Sequence, residues 1–316
     1  MRTIAYILAV VATAAAALSC TKESKVKMKT ISTELGCPQF STDTKTYLNG
    51  TKVMWKSDDK YIACITDGVK GSNWYLFTST ESSASETKTF KGDIPETEHV
   101  VLYAYLCNRN AVSKFNLSKS TDYNTIRNIL GNDQTLGQDN TFNTLYNFAV
   151  AKPGDTSFKN CCGYFKWTNT SGGDIKSVKV ETLSLDGTNE FFGGYFDCTY
   201  DVGDPVTIKS CLNMTSTNAC SPYVTSRITT SSIAPDAAHY IIVLPGTYHG
   251  MKVTITLSDN SSFAIKTTQT FTVPRGAYLD LGVLPTSPIQ APVGGDIDFD
   301  TIGGEDVGDS GSTITW

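Results

Sequence analysis

Met251, Val253, Ile255 and Leu257 alternate with Lys252, Thr254 and Thr256. A period of two puts one face of a strand in a core and the other in water. Pro245-Gly246 and Asp259-Asn260 bound the run as turns. Short strand-like runs recur along the chain at 61–65, 74–77, 100–107, 148–151, 163–167, 175–180, 206–212, 239–244, 271–273 and 279–283. Asn49-Gly50 is the strongest hairpin cue, set between Thr46-Tyr47-Leu48 and Lys52-Val53-Met54-Trp55. Residues 123–130 read as a helical turn or two, and nowhere is a 3.6-residue amphipathic period sustained. Strand follows strand without strand–helix alternation. The expected fold class is therefore all-β, with antiparallel β-sandwiches rather than a parallel α/β sheet.

The first residues set the address. Met1-Arg2 is a short positive region, and residues 4–18 are almost purely apolar. That segment is shorter than the roughly 20 residues a spanning helix needs, so it reads as the core of a signal peptide. It runs into Ala17-Leu18-Ser19-Cys20, with Thr21-Lys22-Glu23-Ser24-Lys25 directly after. A small residue before a lone Cys resembles a bacterial lipobox, although Leu18 stands one place nearer the Cys than usual. Residues 1–20 are thus expected to be a lipoprotein signal peptide and Cys20 the lipidated N-terminus. An ordinary secretory signal cut near Ala17 is the other reading.

About 296 of the 316 residues remain after the leader, enough for two ordinary domains. The chain is 40% hydrophobic and 18% charged, a globular composition. A net charge of −5 with no basic patch argues against binding nucleic acid through its phosphates. Besides Cys20 there are Cys37, Cys64, Cys107, Cys161, Cys162, Cys198, Cys211 and Cys220. Most sit in apolar strand-like runs, where a thiol acts as a small hydrophobe. An even number in an exported chain also allows disulfides, with Cys211 and Cys220 the first pair to test.

Residues 21–45 are polar and weakly patterned, a tether followed by the first strand. Pro153-Gly154-Asp155 marks a boundary, giving an N-terminal β-sandwich domain over 46–153 and a C-terminal one over 154–284. Residues 285–316 form an extended tail punctuated by Pro285, Pro288 and Pro292 and ending Thr313-Ile314-Thr315-Trp316. Ile314 and Trp316 stand two positions apart, on one face of a strand, and are expected to act as a donor strand. Ile297 and Phe299 make a second such pair.

Three segments together resemble the fimbrillin-like family of Bacteroidetes, the lipoprotein subunits of type V pili. The first is Thr44-Lys45-Thr46-Tyr47-Leu48-Asn49-Gly50-Thr51-Lys52-Val53-Met54-Trp55, followed by Asp58-Asp59 and a hydrophobic strand. The second is Phe158-Lys159-Asn160-Cys161-Cys162-Gly163-Tyr164-Phe165-Lys166-Trp167, with Phe192-Gly193-Gly194 downstream. The third is Val243-Leu244-Pro245-Gly246-Thr247-Tyr248 and then Pro274-Arg275-Gly276-Ala277-Tyr278-Leu279-Asp280-Leu281. The resemblance implies two transthyretin-like β-sandwich domains in tandem, a lipid anchor in the outer membrane, and export to the cell surface. It also implies proteolytic removal of the tether and first strand, and filling of the emptied groove by a neighbouring pilus subunit through strand addition. Processing in the best-known members follows an Arg, and this chain has none between Arg2 and Arg109. Lys45 stands in the basic place before Thr46, so the cut is expected between those two.

Catalytic signatures are missing from the sequence. His99, His239 and His249 form no His-x-x-x-His pair, and no zinc site is expected. There is no Gly-x-Ser-x-Gly elbow and no phosphate-binding glycine loop. Cys161-Cys162 reads as strand entry rather than a nucleophile. Asp296, Asp298 and Asp300 lack the glycine and glutamate spacing of a calcium loop. Trp55, Trp74 and Trp167 lie in strand patterns, where core packing comes before sugar stacking. Neither enzyme activity nor a cofactor is expected. The sequence points to a structural pilus subunit supporting adhesion, with a monomeric surface lipoprotein that binds a host glycan or protein as the alternative.

Overall fold

The computed structural model describes residues 26–39, 48–49, 52–53, 55, 60–66, 73–106, 125–135, 146, 148–169, 174–187, 189–199, 207–210, 220–228 and 238–286. Its strands are β1 (Met28–Gln39), β2 (Leu48–Asn49), β3 (Lys52–Val53), β4 (Lys60–Thr66), β5 (Asn73–Thr78), β6 (Thr87–Pro95), β7 (His99–Leu106), β8 (Thr125–Leu130), β9 (Asp133–Thr135), β10 (Phe148–Ala151) and β11 (Ser157–Asn160). They continue with β12 (Gly163–Thr168), β13 (Ile175–Thr182), β14 (Gly193–Thr199), β15 (Thr207–Ser210), β16 (Cys220–Ser221), β17 (Tyr223–Arg227), β18 (Ala238–Val243), β19 (Gly246–Leu257), β20 (Ser262–Val273) and β21 (Tyr278–Val283). The described residues are all-β. None of them forms a helix long and apolar enough to cross a membrane.

Seven strands close into a barrel in the order β1-β11-β10-β7-β4-β5-β6. Inside lie Trp55, Phe77, Phe90, Ile94, Tyr103, Tyr105 and Phe158 with Leu35 and Cys37 from β1. Trp55 is the hub. Its ring meets Phe90, Tyr105 and Phe158 edge-on at centroid distances of 5.1, 4.8 and 5.7 Å, a favoured aromatic geometry. The Asn49-Gly50 cue marks a real hairpin, with Leu48 opposite Val53 and Asn49 opposite Lys52.

The second half is a sandwich. A three-stranded sheet, β18-β12-β21, faces a five-stranded one, β20-β19-β13-β17-β9. Phe165, Trp167, Ile241, Val243, Leu279 and Leu281 from the first sheet pack with Val178, Val180, Met251, Val253 and Ile255 from the second. The three-stranded sheet is covered on its other face as well. Tyr164, Tyr240 and Ile242 pack there with Leu102, Ala104, Phe148 and Val150 on the outside of the barrel. Burial on both faces explains why β18 is buried without a break from His239 to Val243. Gln134 fixes the register of this layer, accepting from Ile242 N–H at 3.0 Å and donating to its carbonyl at 2.6 Å.

Two expectations change. Residues 125–130 are a strand rather than a helical turn, because β8 pairs with β14 at six consecutive positions and this tertiary ladder outweighs local preference. Pro153-Gly154-Asp155 is a turn, with Gly154 at φ 98°, but it links β10 to β11 within the barrel. The chain leaves the barrel at Cys161-Cys162. Cys37, Cys161 and Cys162 are buried, and Cys211 lies outside the described residues.

His239 lies in the sandwich core at 2% exposure, its ring 4.3 Å from that of Trp167. Neither ring nitrogen has a hydrogen-bond partner. Burial pushes its pKa down to about 4, from 6.5. The unfolded chain takes up this proton near 6.5 while the folded chain resists it down to about 4. Stability should therefore fall as pH drops through that window, by about 3 kcal/mol in all. His239→Phe, which keeps the ring contact, should flatten the loss; urea denaturation at pH 7 and pH 5 measures it.

Candidate functional site

β1 is the strand that decides whether the barrel is closed. It runs antiparallel to β6 through nine paired positions, from Met28 opposite Pro95 to Gly36 opposite Thr87. Past Gly36 it runs parallel to β11, with a register shift before Gln39. Gly36 N–H donates to Thr156 O and Cys37 N–H to Glu86 O, both at 2.8 Å. One residue thus touches both neighbours. A Cβ at Gly36 would stand 3.1 Å from Ser157 Cβ and 3.3 Å from Thr156 O, tight enough that only glycine passes without a shift.

The burial of β1 is uneven. Leu35 and Cys37 are 2% and 0% exposed, whereas Met28 at its start is 46% exposed. Ile31 is only partly buried against the aromatic cluster. A fully buried aliphatic side chain contributes about 1.5–3 kcal/mol, while ordering one residue of strand costs about 1–2 kcal/mol. Leu35 and Cys37 therefore do not hold the twelve residues of β1. The backbone ladder does most of that work, and a ladder is nearly indifferent to sequence. Outside the ladder, β1 is tied by Trp55 Nε1–H donating to Leu35 O at 2.8 Å, by Thr30 Oγ1–H to Asp93 Oδ1 at 2.6 Å, and by Lys29 Nζ to Glu96 O at 2.9 Å.

Without β1, β6 would present an unpaired edge, and the pocket over Phe90 and Trp55 would open to water. β1 thus covers a row of β6 backbone groups and the apolar surface that alternates with them. Ile31, Leu35 and Cys37 are the β1 side chains set in or against that cluster.

The expected site residues Cys20, Lys45, Thr46, Ile314 and Trp316 lie outside the described residues. So do Asp296, Asp298 and Asp300. In sequence, Lys45 and Thr46 fall between the end of β1 at Gln39 and the start of β2 at Leu48. Trp55, on an isolated bridge to Ser85, and Trp167, in β12, are both fully buried core residues. His99, His239 and His249 occupy separate places: an exposed strand position, the sandwich core, and the bulge of β19 beside two carboxylates. That last grouping, Asp186, Glu190 and His249, escaped the sequence reading. Asp186 and Glu190 stand four apart, but His249 reaches them only through the pairing of β19.

No protein-family model matches the chain, and no curated protein matches it. Among solved structures, the chain is similar over 82% of its length to the tip fimbrial protein Mfa3 from Porphyromonas gingivalis with a C-terminal truncation, covering 96% of that chain at 6% identity and a TM-score of 0.39. It is similar over 78% of its length to a candidate cell adhesion protein from Parabacteroides distasonis, covering 84% of that chain at 10% identity and a TM-score of 0.32. At these values neither likeness bears on the fold, which rests on the strand pairing itself.

If the ladder rather than the side chains holds β1, Ile31→Ala should cost under about 1 kcal/mol, and Leu35→Ala about 2–4 kcal/mol. Equilibrium unfolding of both variants, followed by the fluorescence of the buried Trp55, tests this ordering.

Proposed function

We propose that this chain is a structural subunit of a cell-surface pilus, assembled by strand exchange between subunits and supporting adhesion. The observation that carries the reading is β1: a twelve-residue N-terminal strand that completes the barrel while burying few of its own side chains. Such a strand is replaceable by another that brings the same ladder. A cut between Lys45 and Thr46 would leave β1 without a covalent link to the rest of the barrel. The groove would then be free for a segment of a neighbouring subunit, with Ile314 and Trp316 as the donor's apolar pair.

The same reading takes the lipobox at Cys20 as the outer-membrane anchor of the precursor. It takes the barrel, with β1 bridging its two faces, and the following sandwich as two transthyretin-like domains in tandem. The order of the three family-like segments, spread over residues 44–281, supports it. Other pilus subunits are then the partners.

Digestion of the purified precursor with a lysine-specific protease should yield a ladder of polymers on gels run without boiling. Thr46 should be the new N-terminus by mass spectrometry. Lys45→Ala and deletion of residues 286–316 should each abolish the ladder, and the deletion should leave the melting temperature nearly unchanged. A cleaved chain that stays monomeric would favour a surface lipoprotein that binds a host glycan or protein.

Lipidation makes its own prediction. An acyl chain contributes about 0.8 kcal/mol per buried CH₂, so Cys20→Ala should move the precursor from the detergent phase to the aqueous phase on partitioning.

A further inference from the structure

The turn after β13 is folded back against β19. Leu183 N–H donates to Gly250 O and Leu185 N–H to His249 O, each at 3.1 Å. β19 carries a register shift between His249 and Met251, with Gly250 at φ 85°, and a bulge of this kind re-aims a side chain. His249 Nδ1 comes within 2.6 Å of Glu190 Oε1 and 3.3 Å of Asp186 Oδ2. Ligand atoms from all three residues lie within 4.8 Å of one another.

A second observation concerns charge. Glu190 is only 8% exposed, and a buried carboxylate is costly unless a cation matches it. Among the described residues no Lys or Arg pairs with it; the His249 ring is its one ionic partner. Asp186 adds a second carboxylate beside the first. Both carboxylates face the same ring, Glu190 from the buried side and Asp186 from the exposed side.

We propose that Asp186, Glu190 and His249 bind a divalent zinc-class cation. One imidazole nitrogen and two carboxylate oxygens suit Zn²⁺, with water as the fourth ligand, while a calcium ion wants six or more oxygens. Zinc lies about 2.0–2.2 Å from each such ligand, which sets neighbouring ligand atoms roughly 3–3.5 Å apart. The Asp186 pair already has that spacing, and Glu190 Oε1 has to open by less than about 1 Å. The cation takes the place of the hydrogen between Nδ1 and Oε1, and the neutral ring carries its proton on Nε2. His249 backbone N–H donates to Glu190 Oε1 at 2.9 Å and to Oε2 at 3.1 Å. It therefore keeps the carboxylate aimed as the outer bond of a metal ligand does. Bound there, the ion staples the 183–190 turn to β19 and stabilises the sandwich.

Full-length chain stripped with a chelator and titrated with ZnCl₂ should bind one ion per chain by calorimetry, and its melting temperature should rise. CaCl₂ at the same concentrations should do neither. Asp186→Asn, at an exposed position whose loss leaves the core intact, and His249→Gln should each weaken zinc binding about tenfold or more. Circular dichroism of both variants should match the parent. No zinc binding up to millimolar concentration, or binding unchanged in both variants, would overturn the proposal. So would a sulfur-to-metal charge-transfer band with Co²⁺, which would put the ion on cysteines instead.

Discussion

One hydrogen bond joins the two features on which the first half of the molecule depends. Trp55 Nε1–H donates to the carbonyl of Leu35 at 2.8 Å, tying the aromatic hub of the barrel to the strand that closes it. The indole is fully buried, so its N–H must find an acceptor or cost about 1–3 kcal/mol. The acceptor it finds is a backbone oxygen, which any strand in that position would offer. The barrel thus asks β1 for a carbonyl at one place and small apolar side chains at two. Gly36 adds a steric demand, since its Cα passes between β6 and β11. These requirements are few and local. They specify where a strand must lie far more tightly than which strand it must be.

The sandwich is held differently. Its three-stranded sheet is buried on both faces, by the five-stranded sheet on one side and by the wall of the barrel on the other. The bidentate pairing of Gln134 with Ile242 and the bond from Arg275 Nη1–H to Asn160 O at 2.9 Å add directional contacts to this apolar layer. Removing β1 would open the barrel at β6 and β11, while the wall facing the sandwich is made by β7 and β10. The groove and the layer that joins the two halves therefore lie on different parts of the barrel, and one can open with the other intact.

Most of the strand series was legible in the sequence because burial on one face leaves a period of two. β19 showed it cleanly. Where the pattern failed, the inward positions were filled by residues that do not look apolar. β6 points Lys88, Phe90, Gly92 and Ile94 inward; a buried lysine, whose Nζ donates to Glu81 O at 2.9 Å, and a glycine hide the alternation. Gly92 is there because a Cβ would stand 2.4 Å from the Phe77 ring. β20 runs for twelve residues, yet only 271–273 were expected, since it is an edge strand with threonines on its wet face. The three-residue cluster at Asp186, Glu190 and His249 was invisible for another reason. Its members are 63 positions apart at the extremes, and only the return of β19 past the end of β13 makes them neighbours.

β1 and the 183–190 turn differ in what secures them. β1 has twelve residues and a long ladder, but among its described side chains only Leu35 and Cys37 are set in the core, so its attachment is extensive and non-specific. The turn has few backbone bonds, yet it carries a buried carboxylate aimed at a ring on another strand, so its attachment is small and specific. A ladder can be exchanged for an equal ladder at little net change in free energy, because the bonds broken and formed are the same in kind. A carboxylate–imidazole cluster cannot, because its geometry belongs to three named side chains. β1 is thus secured mainly by backbone, and the 183–190 turn mainly by side chains.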